Sequence, residues 1–314
     1  MTLHLTPLDT VLFPLAVIGW VVYPMLLFVL VARWRVEPLN GAFFHLSVAV
    51  GCADLLNLLL TYGLHRPPQW GLGTPAYAAG GRTLATLVTS ATGWTLIAQN
   101  TGATLIALNR AMAIAAPAAY RRVWTSRGYG CSLLLMLLSS AWVPAMVLRS
   151  EPTFFIFPDN ATGAFGFMKP TLLFNFVTAL LATYTLASAI CYAVAVASLV
   201  RHSRNVALPT GATNNSAAEL RLAFCGFAIF IAQAFLAASY VLFIFFPTEE
   251  TLVSYKIWIV AMDLFSYVNP YSILLASTAA RTAFLETFGC ASLMRKASRV
   301  QPVTTTGMRT AKPP

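Results

Sequence analysis

The sequence predicts an all-α membrane protein, a bundle of seven transmembrane helices. Three observations carry that expectation. Hydrophobic residues make up 58% of the 314-residue chain and charged residues only 10%, with a mean hydropathy of +0.71; ordinary soluble domains carry about 25% charge. The apolar residues gather into seven runs, each near or above the roughly 20 residues that cross about 30 Å of hydrocarbon. No gap between the runs is long enough for a soluble domain, and in lipid only internally hydrogen-bonded elements satisfy the backbone.

The first run, Val11–Ala32, has no basic stretch before it, so it is expected to remain as a span and not to be cleaved as a signal peptide. The second, Ala42–Leu64, ends at His65, Arg66, Pro67 and Pro68, which read as the exit from the membrane and need no site. The third, Leu84–Asn109, carries Gln99 and Asn100 midway and stops at Arg110. The fourth, Tyr129–Leu148, is the shortest, and the fifth, Pro170–Val200, is long enough to tilt or protrude. The sixth is Leu220–Phe246; the seventh, Ser254–Ser277, contains Asp263 and then Asn269-Pro270-Tyr271. Beyond it Phe284, Leu285, Phe288 and Leu293 recur at helical spacing, with Arg281, Glu286, Arg295 and Lys296 between them. That pattern predicts a short amphipathic helix on the membrane surface. Residues 1–296 are therefore expected to form one membrane domain, and residues 297–314, rich in Thr, Pro and basic side chains, a disordered cytoplasmic tail.

Orientation follows from the basic residues. With the N-terminus outside and the C-terminus inside, fifteen of the twenty Lys and Arg face the cytoplasm, as the positive-inside rule requires. The net charge of +10 then belongs to basic inner loops facing lipid headgroups, and no nucleic-acid partner is implied. Asn160-Ala161-Thr162 is a glycosylation candidate in a loop placed outside, whereas the sequon at Asn214 falls in a loop placed inside. The five cysteines, Cys52, Cys131, Cys191, Cys225 and Cys290, lack metal-ligand spacing. Four lie within spans, where a cysteine behaves as a small buried hydrophobe; Cys290 lies near the inner interface and is a palmitoylation candidate.

Polar residues inside spans are the candidates for function. Asp54 sits mid-way along the second span, where an unpaired carboxylate either takes up a proton or finds partners. Asp54, Gln99, Ser266 and Asn269 could meet as one cluster, with water or a cation near Asp54, and Pro270 would kink the seventh span beside them. Interhelical hydrogen bonding without a switching role is the competing reading. Arg110 alone is explained by snorkelling; coupled to Pro117 and Tyr120 at fixed offsets, it is not. Nothing marks an enzyme: there is no Walker loop, no His-Glu-x-x-His, no Gly-x-Ser-x-Gly and no histidine cluster, and no cofactor or metal is expected beyond that cation.

Asn109, Arg110, Pro117 and Tyr120 keep the spacing of the Asp-Arg-Tyr motif and following loop of rhodopsin-like receptors, with Asn109 in place of the acid. Asp54, the segment Thr61–Gly71, Asn109-Arg110 with Pro117, Tyr120 and Trp124, and Asp263 with Asn269-Pro270-Tyr271, Ser277 and Arg281 make the chain similar to the nematode serpentine chemoreceptors. The closest resemblance is to class gamma (Srg) and the related classes Srv, Srx and Srt. It implies rhodopsin-like topology, a heterotrimeric G protein engaged at Asn109-Arg110, and a small-molecule ligand in the opposite half of the bundle, with Thr92, Trp94 and Asp263 as candidate lining residues. It also implies a plasma-membrane location.

The departures from the wider rhodopsin-like pattern carry weight. Asn109 cannot hold Arg110 as a carboxylate would, so a resting-state restraint on the arginine must come from elsewhere. The sixth span has neither Trp nor Pro, and Ile273 stands where a tyrosine would close the Asn-Pro motif. No outer cysteine pair is available. Asp263 replaces the opsin lysine and Thr92 the aminergic aspartate, which disfavours both light sensing and amine binding, although Asp263 could still receive a cation. The alternative to a receptor is a small ion-coupled transporter or channel using Asp54 and Asp263.

Overall fold

The computed structural model describes residues 7–37, 39–156, 162–166, 172–205, 213–245 and 251–289. The expected candidates Asn160 and Cys290 and the tail 297–314 lie outside them, and so do Leu293, Arg295 and Lys296.

Helices α1 (Pro7–Ala32) and α2 (Ala42–Leu60) supply the first two spans. The second span does not end at Leu64. It passes through a π-helical turn, Thr61–His65, into the short α3 (Arg66–Gln69), so that Pro67 and Pro68 lie inside the helical column. The wider turn makes this tolerable: the Arg66 N–H reaches back to the Thr61 carbonyl, and Pro67, with no N–H, leaves the Gly63 carbonyl to the Tyr77 hydroxyl at 3.3 Å.

Helix α4 (Thr74–Ala115) begins ten residues before the expected Leu84. Gly81 explains the difference. Its backbone, at φ 51° and ψ −143°, lies where only glycine sits without strain, and it breaks the column between a leading segment and the span. Pro117 then opens α5 (Pro117–Val123), and the Thr125 hydroxyl accepts from Gly128 N to start α6 (Ser126–Ser140). With α7 (Val143–Ser150) this makes the fourth span.

Between the fourth and fifth spans, where a loop was expected, strands β1 (Thr153–Ile156) and β2 (Gly163–Gly166) pair antiparallel, with Phe154 opposite Phe165. Helices α8 (Leu172–Asn205), α9 (Thr213–Phe245) and α10 (Thr251–Ala276, with Pro270 inside) complete the bundle. The Ser277 hydroxyl caps the final α11 (Thr278–Thr287) by accepting from Ala280 N. This helix is shorter than expected among the described residues. The Arg33–Glu286 ion pair at 2.7 Å ties it to the end of α1.

Helix α4 is the axis of the bundle and packs against α2, α6, α7, α8, α9 and the hairpin. Apolar burial gives little drive to helix association in lipid, so close packing and polar contacts must hold it. At Gly102 a Cβ would lie 2.3 Å from Val50 Cγ2 and 2.9 Å from Met136 Cε, so only glycine lets α2, α4 and α6 approach this closely. The central position also explains composition. Among the described residues, five helices are long and apolar enough to cross a membrane by themselves, and α4, whose polar side chains face protein, is not among them. Helices α6 and α8 instead turn Leu134, Leu138, Leu186 and Ile190 outward, toward lipid. Cys52 and Cys131 are also exposed, so only Cys225 of the expected buried cysteines is fully enclosed; its thiol lies 3.0 Å from Ser272 Oγ.

Candidate functional site

The hairpin and Arg110 lie at opposite ends of α4, and three polar assemblies line the column between and at those ends. The middle one joins the four residues expected to cluster. Gln99 Nε2 donates to Asp54 Oδ1 at 2.7 Å and to Ser266 Oγ at 3.1 Å, and Asn269 Nδ2 lies 3.3 Å from Asp54 Oδ2. Three further residues belong to it. The Tyr23 hydroxyl donates to the Asp54 carboxylate and accepts from Asn269 at 3.0 Å; Asn57 donates to Ser266 at 3.2 Å and accepts from Thr95 at 3.2 Å. Helices α1, α2, α4 and α10 thus share one network. Gln99 Oε1 and Asn269 Oδ1 are buried there without a hydrogen-bond partner. Asn100 faces away and donates to its own helix at Leu96 O, 2.9 Å.

At the next assembly Arg110 is 4% exposed despite its place near a helix end. Its Nε and Nη2 donate to Asn109 Oδ1 at 3.2 and 2.8 Å, and its guanidinium carbon lies 4.5 Å over the Phe43 ring. The restraint expected from elsewhere is therefore partly supplied by Asn109 itself: the amide oxygen is an acceptor even though it carries no charge. Phe43, on α2, adds to it through its ring face. Pro117 is exposed at the first position of α5 and Tyr120 is half-buried on the same helix.

The third assembly overturns the reading of His65 and Arg66 as a simple exit. Arg66 donates to Asp263 in an ion pair with side chains 2% and 1% exposed, and the Tyr62 hydroxyl donates to the same carboxylate oxygen at 2.9 Å. The Arg66 guanidinium also stacks 4.6 Å over the Tyr62 ring. His65 Nε2 lies 3.0 Å from Thr92 Oγ1, while its Nδ1 is buried without a partner. Continuation of the helix past Leu64 is the cause: positions 62, 65 and 66 fall at i, i+3 and i+4, so His65 and Arg66 share the buried face that carries Tyr62. Asp263 is thus already paired with a cation. Thr92 faces His65, whereas Trp94, two residues on and so about 200° around α4, is half-buried on another face.

Rings connect this assembly to the hairpin and to the later helices. Phe165 of β2 meets His65 edge-on at 5.6 Å, His65 meets Trp258 at 6.2 Å, and Trp258 meets Tyr240 at 6.3 Å. A separate network, not legible as a site in the sequence, ties α9 to α4 and α8: Ser188 donates to Gln233 Oε1 at 2.9 Å, and Thr104 and Ser188 hydroxyls lie 3.2 Å apart.

Comparison with known proteins agrees with this architecture. No curated protein matches the chain. A family description, that of the serpentine type seven-transmembrane chemoreceptor Srv, matches residues 13–290 and so reaches into all seven spans. Class V is one of the relatives that the sequence resemblance names beside class gamma. The chain is an integral, multi-pass, seven-transmembrane protein and belongs to the Srv family of serpentine G-protein-coupled chemoreceptors.

Proposed function

We propose that this chemoreceptor sits in the plasma membrane with its N-terminus outside, binds an extracellular small molecule toward the hairpin end, and engages a heterotrimeric G protein through the Asn109-Arg110 end of α4. The observation that carries the reading is the packing of Arg110. A group that is always charged stands near a helix end, where extension to water is open to it, yet it is folded onto Asn109 and Phe43. A cation held back in this way can be released and presented to a partner. Pro117 and Tyr120, on the helix that follows, extend the same surface.

The Asp54, Gln99, Ser266 and Asn269 cluster, with Pro270 as the kink in α10, is the switch between the two ends in this reading. It bridges four helices, so a small displacement of one must be answered by the others. The two unpartnered amide oxygens beside the Asp54 carboxylate favour a monovalent cation there. Pairing of Asp263 with Arg66 weighs against the alternative of an ion path, because a neutralised carboxylate attracts passing cations weakly. The test is reconstitution of the full chain in vesicles with a purified heterotrimeric G protein. The receptor is expected to speed nucleotide exchange, and Arg110→Ala to remove the effect at equal insertion; exchange unchanged by Arg110→Ala defeats the assignment.

A further inference from the structure

We propose that the hairpin end takes a neutral aromatic carbonyl compound, and that His65 Nδ1 donates the hydrogen bond that holds its carbonyl oxygen. This rests on the ligand site lying at that end and names the chemistry of the ligand. His65 is 5% exposed, and its Nδ1 is buried without a hydrogen-bond partner. Its Nε2 lies 3.0 Å from the hydroxyl of Thr92, a residue that is itself buried.

Thr92 decides which nitrogen of His65 carries the proton. A threonine inside a helix commonly donates to the carbonyl one turn earlier. Thr101 and Thr104 of α4 do so, to Ile97 O and Asn100 O at 2.9 Å each. Among the described residues the Thr92 hydroxyl makes no such bond and meets His65 alone. A buried hydroxyl proton with one acceptor in reach goes to that acceptor, so Nε2 is bare and Nδ1 carries the ring proton. The opposite tautomer would enclose two groups without partners, the Thr92 proton and Nδ1, in place of one. A doubly protonated ring gives the same result, because Nδ1 is then a donor as well. The site offers a buried N–H that lacks an acceptor.

A carbonyl oxygen answers a single N–H and has no proton of its own to house. An alcohol can accept too, but its hydroxyl proton must then find an acceptor among the rings around His65. A carboxylate must leave water as an ion and lie against aromatic faces, which are electron-rich. Those rings also set the body of the ligand. Phe165 of β2 meets His65 edge-on at 5.6 Å, Trp258 meets it at 6.2 Å, and Tyr240 stands 6.3 Å beyond Trp258. Phe165 and Tyr240 are buried. Walls of this kind favour a flat ring, packed edge-on or offset against them.

The experiment uses the purified full chain in nanodiscs, without G protein, and reads binding by equilibrium dialysis against empty nanodiscs, which corrects for partition into lipid. The probes share one ring: acetophenone, 1-phenylethanol, ethylbenzene and benzoate. Acetophenone is expected to bind at least about tenfold more tightly than ethylbenzene or benzoate, with 1-phenylethanol between acetophenone and ethylbenzene. Its carbonyl stretch should move to lower frequency on binding, and His65→Phe should abolish that shift. Thr92→Val removes the hydroxyl that fixes the tautomer and leaves Nδ1 free to accept. The advantage of acetophenone over 1-phenylethanol should therefore shrink in that variant, which a merely structural role of Thr92 would not bring about. Ethylbenzene, 1-phenylethanol or benzoate binding as tightly as acetophenone, no binding by any probe, or a carbonyl shift that survives in folded His65→Phe each overturns the proposal. If His65→Phe does not fold, Thr92→Val decides, and an unchanged ratio overturns it. Binding in the expected order without accelerated nucleotide exchange would instead defeat the G-protein reading and leave the role of His65 standing.

Discussion

Arg66 and Asp263 meet as an ion pair inside the bundle although 197 positions separate them and each belongs to a different span. Removing one partner leaves the other charged and enclosed. Asp263→Ala or Arg66→Ala is therefore expected to lower stability by about 3–5 kcal/mol, while Arg66→Leu combined with Asp263→Leu recovers most of the loss. Thermal unfolding of the four proteins in one detergent checks this. Additive losses in the double variant would show that the pair is not coupled.

The grip on Arg110 can be tested from both sides. Phe43→Leu keeps an apolar side chain of similar reach but removes the ring face, which for a desolvated cation is worth about 2 kcal/mol. Basal nucleotide exchange is expected to rise on the order of tenfold. Asn109→Asp keeps the acceptor in place and adds charge, so the arginine is held more firmly and basal exchange should fall. If both variants move exchange in the same direction, the retention of Arg110 does not control coupling.

Much of this arrangement was legible in the chain. The spans are continuous apolar runs, and Asp54, Gln99, Ser266 and Asn269 stand out because each is a strongly polar residue in such a run. Tyr23 and Thr95 gave no signal, since tyrosine and threonine often bond their own helix or sit near an interface. Arg66 was misleading for a physical reason: a cation followed by two prolines has the composition of a helix end. Continuation of the helix through the π turn and into α3 keeps it on the buried face, four residues after Tyr62. The hairpin is short, and its aromatic residues, Phe154 and Phe165, match a loop as well as a strand until their partner across the turn is known.

Gly102 should tolerate nothing larger. A methyl group at that position lies 2.3 Å from Val50 Cγ2 and 2.9 Å from Met136 Cε, so Gly102→Ala is expected to cost about 1–3 kcal/mol through overpacking. Val50→Ala opens the nearer contact and should restore part of the loss when combined with it. A Gly102→Ala protein as stable as the original would mean that α2 and α6 move apart freely.

The cation proposed beside Asp54 predicts a salt-specific effect. Sodium, compared with a bulky organic cation at equal ionic strength, should raise the unfolding temperature of the original protein, because a ligand of the folded state stabilises it by mass action. Asp54→Asn should abolish the difference while leaving the Gln99 and Asn269 amides in place. Equal sensitivity in both proteins would place the cation elsewhere.

Gln233 offers the opposite case to Arg66, a buried polar residue whose loss should be mild. It accepts from Ser188 at 2.9 Å and its Nε2 lies 3.5 Å from Thr104 Oγ1, joining α9 to α8 and α4. Leucine in its place would leave no hydroxyl stranded. Ser188 and Thr104 lie 3.2 Å apart and can bond each other, and Thr104 already donates to Asn100 O at 2.9 Å in its own helix. Gln233→Leu is accordingly expected to cost about 0.6 kcal/mol, and no more than about 1.7 kcal/mol. Its effect on nucleotide exchange separates a tether from a brace. If the amide holds α9 in the resting position, exchange rises although stability barely changes; if it only fills space, both stay near their original values. A loss of stability as large as that of Arg66→Ala would show that the alternative bonds of Ser188 and Thr104 do not compensate.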